Sequence, residues 1–158
     1  MKRILKKKII SNRNFSVFFD FNDYYIDDNL IPFTIKIVES FIKNQNINHP
    51  VEISISLVGS DEIKSLNNEY RNKDKTTDVL SFPIDDYMLG DVIINIDKIK
   101  AQSRIYKTGF IREFSYLLTH SLLHLVGYDH MNDWGKKIMR INEEKILSGI
   151  KKWKKINF

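Results

Sequence analysis

The sequence predicts an α+β fold in one domain over residues 1–158, a small mixed sheet of about four strands packed against helices, on three observations. Val51, Ile53, Ile55 and Leu57 alternate with Glu52, Ser54 and Ser56, the period-two pattern of a strand with one buried face. Other segments repeat apolar residues every three or four positions, as amphipathic helices do. The segment Phe110 to Val126 carries no formal charge after Glu113 and is apolar nearly all round, so it is expected to form a central buried helix.

In chain order, the first expected strand is Phe15 to Phe21, rich in aromatics. Ile31, Ile35, Val38 and Ile42 then share one helix face, followed by the strand at Val51 to Leu57. Ser60 stands as a cap before a helix presenting Ile63 and Leu66. Two more strands are expected at Asp78 to Phe82, before Pro83, and at Asp91 to Ile96, after Gly90. Beyond the buried helix, Trp134, Ile138, Ile141 and Ile146 mark a last covering helix. No internal repeat and no Ser- or Pro-rich linker divides the chain.

With 42% hydrophobic and 28% charged residues and only 6 Gly and 3 Pro, the composition is that of a folded globule, not a disordered or collagenous chain. The chain has no cysteine, which excludes disulfides, thiolate zinc sites, iron–sulfur clusters and thiol nucleophiles. Any transition metal must be held by His, Asp or Glu. No window approaches the roughly 18 apolar residues that span a bilayer, and the apolar stretch of MKRILKKKII breaks at SNRN before a signal-peptide core forms. No membrane association is expected and the chain is read as cytoplasmic. The net charge of +5 suits a polyanionic partner. Basic residues gather in the two tails, at Lys2, Arg3, Lys6, Lys7 and Lys8 and at Lys151, Lys152, Lys154 and Lys155, where phosphate contact and simple solvation account for them equally well.

Three of the four histidines, His120, His124 and His130, fall inside HSLLHLVGYDH. Residues four apart on a helix project about 40° from one another, so His120 and His124 share a face. Six residues further the direction has turned by about 240°, so His130 joins them only if the helix stops and the chain doubles back. Gly127 stands where a left-handed C-terminal cap supplies that turn. Three neutral imidazoles with an open fourth position are the set of a catalytic Zn²⁺, one per chain, which acidifies a bound water and so points to hydrolysis. His49, in NINHP, lacks such company and is expected on the surface. The spacing H-x3-H-x2-G-x2-H is also that of metzincin metallopeptidases, which place a glutamate base directly after the first histidine. Here that residue is Ser121, and a hydroxyl does not replace the carboxylate.

The histidine segment, NEYRNKDKTTDVLSFP from Asn68 to Pro83, and LGDVIIN from Leu89 to Asn95 together resemble the YbeY endoribonucleases, in family order over most of Val51 to about Leu147. The resemblance implies a zinc-dependent hydrolase specific for single-stranded RNA, acting in 16S ribosomal RNA 3′-end maturation and ribosome quality control, with the ribosome or its associated proteins as partners. It carries the metal ligands to His120, His124 and His130 and a functionally important arginine to Arg71. The family often has glycine where this chain has Ser121. Arg71 has its own rationale, because a planar guanidinium fork holds a phosphate and its developing charge, whereas Lys73 and Lys75 are expected to be solvated. The general base is left open between Asp129, beside His130, and Asp78, which fits equally a cap in TTDVL, with Glu113 about two turns from His120 and too distant. Competing functions are a metzincin-like metallopeptidase and a non-catalytic ribosome-assembly factor whose structural zinc has a fourth protein ligand.

Overall fold

The sheet is built outward from the most regular strand in the sequence, whose alternating residues Val51, Ile53, Ile55 and Leu57 are all buried. The computed structural model describes residues 7–22, 24, 30–106 and 109–150. Its elements run β1 (Lys7–Ser11), β2 (Phe15–Asp20), α1 (Leu30–Asn44), β3 (Val51–Val58), α2 (Ser60–Arg71), β4 (Val79–Pro83), β5 (Met88–Asn95), α3 (Ile96–Tyr106), α4 (Phe110–Leu125) and α5 (Asp133–Ser148). The strand order is β1-β2-β3-β5-β4. β3 lies parallel to β2 and β5, while β1 and β4 run antiparallel at the two edges, so the sheet is mixed.

The sheet has five strands where about four were expected, because β1 has no alternating pattern: KKIIS is exposed along most of its length and reads as part of the basic tail. Lys7 and Lys8 belong to this edge strand, opposite Asp20 and Phe19, while the rest of both basic runs lies outside the described residues. Helix α3 was also not anticipated, its apolar residues Ile96, Ile99 and Ile105 being scattered among polar ones, with Ile105 exposed.

One continuous core joins the sheet to α1, α4 and α5 and contains Phe15, Ile37, Phe41, Ile53, Val92, Phe114, Leu118 and Leu122. On β5, Val92 and Ile94 face this core, whereas the intervening Ile93 joins Val58, Ile63 and Leu80 beneath α2 on the opposite face. α4 is central as expected, with ten buried residues of its 16. Two expectations change. Ser60 is not the cap of α2; Gly59 holds that position, and the Ser60 N–H is taken by Asp97 Oδ2 at 2.9 Å. On α5 the buried stripe is Met139, Glu143 and Ile146, leaving Trp134 69% exposed and Ile141 41% exposed.

Gly90 is required where β5 passes under α4. Its φ is +147°, and a Cβ there would lie 2.2 Å from the Phe82 carbonyl oxygen of β4 and 2.9 Å from Leu125 Cδ2. The glycine in LGDVIIN thus allows the edge hairpin and the C-terminal end of α4 to approach each other, bringing β4 beside the histidines.

Candidate metal centre in a basic cleft

α4 buries most of its circumference and leaves a narrow stripe, Tyr116, His120 and His124, spaced four residues apart and only partly covered. The helix ends in a Schellman motif: the Gly127 N–H donates to the His124 carbonyl and the Tyr128 N–H to the Leu123 carbonyl, both at 3.1 Å. Gly127 has φ +99° and reverses the chain, as its position in the sequence led one to expect. The returning segment brings His130 alongside, with ring centroids 5.4 Å from His120 and 5.1 Å from His124.

One nitrogen from each of His120, His124 and His130 lies within 4.8 Å of the others. His120 Nε2 and His124 Nε2 are 3.1 Å apart. Ligands at about 2.0–2.1 Å in a tetrahedron around zinc would stand about 3.3 Å apart, so this donor set fits a small divalent ion. Burial, followed by the neighbouring His120 and His130 and the positive Arg71, depresses the His124 pKa, while a hydrogen bond with the Tyr128 backbone acts the other way. The neutral, ligating form is thereby favoured. The His120 Nδ1 faces away from the cluster and hydrogen-bonds Glu143 Oε1 at 3.0 Å. Burial, followed by the neighbouring Glu143 carboxylate, raises the pKa of the Tyr116 phenol, so its hydroxyl keeps its proton.

The histidines form part of the wall of a cleft of about 740 Å³, which Arg71, Lys75 and Lys98 also line. Arg71 is the last residue of α2; its Nη2 donates to the Ser81 carbonyl of β4 at 2.9 Å, and its guanidinium lies 5.6 Å from the Phe82 ring centroid. The arginine is therefore tethered to β4 along the cleft wall. Lys75 is exposed, as expected, and lines the cleft, and Lys98 on α3 is a cation that the sequence did not single out. The loop bearing Lys75 is secured by Asn95, which is fully buried: its Nδ2 donates to Ser60 Oγ, Thr76 Oγ1 and the Thr77 carbonyl, while its Oδ1 accepts from the Asp97 and Lys98 N–H groups.

Of the carboxylates weighed as a base, Asp78 lines the cleft and accepts from Gln102 Nε2 at 3.3 Å. Asp129 instead accepts from the Met131 N–H in a local turn, and the carboxylate touching an imidazole is Glu143. Its signal in the sequence was an acidic residue four after Met139 and three before Ile146, on a buried stripe. His49 packs its ring on Tyr87, apart from the cluster.

Ser121, at the position where metzincins have their glutamate, is fully buried, and its hydroxyl has no hydrogen-bond partner among the described residues. An unpaired buried hydroxyl costs about 1 kcal/mol or more. Ser121→Ala should therefore stabilise the protein by about 1 kcal/mol, raising the melting midpoint by about 3 °C in a thermal unfolding scan. An unchanged or lower midpoint would show that the hydroxyl is satisfied.

The model for "Endoribonuclease YbeY" matches residues 19–151. Among curated relatives, Endoribonuclease YbeY of Clostridium kluyveri is 38% identical over 151 residues, covering 80% of this chain and 92% of the relative. The protein of that name from Carboxydothermus hydrogenoformans is 49% identical over 102 residues, covering 62% of this chain and 71% of the relative. The solution structure of TM1509 from Thermotoga maritima is similar with a TM-score of 0.62 and 27% identity, covering 84% of this chain and 89% of that one. The match runs from β2 through α5, including all three clustered histidines and the helix that supports them, and on that extent the chain belongs to the YbeY endoribonuclease family.

Proposed function

We propose that this protein is a zinc-dependent endoribonuclease that cuts single-stranded RNA, with His120, His124 and His130 as metal ligands and Arg71 at the scissile phosphate. The observation that carries the proposal is the convergence of three imidazole nitrogens in a cleft also lined by Arg71, Lys75 and Lys98. A divalent ion held there would supply Lewis-acid polarisation and an acidified water. Arg71 presents a planar fork to the phosphate and stabilises charge developing on its oxygens. Lys75 and Lys98 neutralise neighbouring phosphates, holding the strand in register. The family implies ribosomal RNA as substrate, in 16S 3′-end maturation and ribosome quality control with ribosomal partners, in the cytoplasm. No helix among the described residues is long and apolar enough to cross a membrane.

The peptidase alternative is weakened by Ser121, a buried hydroxyl where a glutamate base would be needed. A closed structural zinc would need a fourth protein ligand, and the cluster found among the described residues contains three.

The test is cleavage of one RNA sequence presented single-stranded and as a duplex, with casein as the peptide substrate and His120→Ala as the contaminant control. Cutting of the single strand is expected, with RNA affinity falling steeply as salt rises, because bound phosphates release counterions. Wild-type protein that cuts casein and leaves RNA intact would overturn the proposal.

A further inference from the structure

A carboxylate from another helix is hydrogen-bonded to one of the clustered imidazoles. Glu143 lies on α5, between Met139 and Ile146 on the buried stripe, and is 5% exposed. Its Oε1 lies 3.0 Å from His120 Nδ1, and its carboxylate is close enough to the Tyr116 phenol to raise that group's pKa. An acidic side chain buried on an otherwise apolar stripe is costly unless it is paired, and here its hydrogen-bond partner is an imidazole of the candidate metal centre.

We propose that Glu143 is a positioning residue that fixes the His120 ring as its Nδ1–H tautomer and so directs the Nε2 lone pair at a metal, a role that rests on the metal-site reading above. The geometry leaves the two ring nitrogens with different tasks. Nδ1 lies at hydrogen-bond distance, 3.0 Å, from Glu143 Oε1, where a carboxylate calls for a donor, and Nε2 faces His124 Nε2 at 3.1 Å. With its proton on Nδ1, a neutral His120 has only an acceptor lone pair at Nε2. Glu143 therefore sets both ring rotation and tautomer before a metal arrives. Because Glu143 engages the far side of the ring, it is not itself a ligand in this arrangement.

A purely structural role, an α4–α5 tie, makes a different prediction. The experiment combines the His120 tautomer, read by nitrogen–proton correlation NMR on metal-free protein, with zinc affinity read by competition against a chromophoric chelator. Wild type and Glu143→Gln, whose amide oxygen still accepts a hydrogen bond, should both show the proton on Nδ1 and bind zinc within about threefold of each other. Glu143→Ala, measured where it is folded by circular dichroism, should lose that tautomer preference and bind zinc about 10–100-fold more weakly. Glu143→Ala with a lowered melting midpoint but unchanged zinc affinity would overturn the proposal in favour of the tie, and so would Glu143→Gln binding as poorly as Glu143→Ala. The wild-type tautomer decides the matter even if Glu143→Ala does not fold: a proton on Nε2 overturns the proposal. Failure of wild type to bind zinc would instead defeat the metal-site reading, and the tautomer would still report on Glu143.

Discussion

His124→Ala is expected to abolish stoichiometric zinc binding and to reduce RNA cleavage by about a thousandfold or more, the largest loss from any single substitution considered. Its Nε2 lies 3.1 Å from that of His120, and removing it leaves two imidazoles on different segments, His120 on α4 and His130 beyond the Gly127 turn. Two ligands do not close a tetrahedral site tightly. Zinc should raise the melting midpoint of wild type, since a ligand that binds only the folded state stabilises it, and should leave that of His124→Ala nearly unchanged. Elemental analysis together with melts in zinc and in chelator provides the check. One zinc retained per chain in the variant would show that His124 is not a ligand.

Arg71→Ala is expected to keep zinc content and fold while cleavage of single-stranded RNA drops by about tenfold or more, with a smaller change in RNA affinity. The side chain is exposed, and its one structural hydrogen bond, to the Ser81 carbonyl at 2.9 Å, should cost about 1 kcal/mol when lost. The fold therefore tolerates the change better than the chemistry does. Arg71→Lys should recover little of the rate, because an ammonium lacks the planar fork that holds two oxygens at once. Single-turnover cleavage, zinc content and a thermal melt on the same preparations separate these effects. Unchanged cleavage in Arg71→Ala would remove the arginine's role and leave the metal-centred chemistry standing.

Local order in the chain is what made the histidine cluster legible. His120 and His124 are one helical turn apart, and Gly127 marks the reversal that returns His130, so the meeting of three imidazoles follows from helix geometry and one cap. The α+β class was legible for a similar reason: β3 alternates cleanly and α4 carries no charge beyond its first turn until after the helix has ended. Elements whose patterns are weak within their own few residues were not legible. β1 gains its place only by pairing with β2 at the sheet edge, and α3 buries little more than Ile96 and Ile99.

The sequence alone determined the class of fold, the candidate ligands and, through resemblance, Arg71 as a residue of interest. Tertiary structure decided what surrounds them. It placed Glu143, 23 residues downstream on α5, behind His120, turned α5 so that Trp134 and Ile141 face outward, and brought Lys98 and Lys75 to the cleft of Arg71. A side chain's neighbours along a helix are fixed by 3.6-residue periodicity and can be counted from sequence. Its neighbours across the core depend on how helices and sheet pack, where a carboxylate on an apolar stripe gains meaning only from the imidazole opposite.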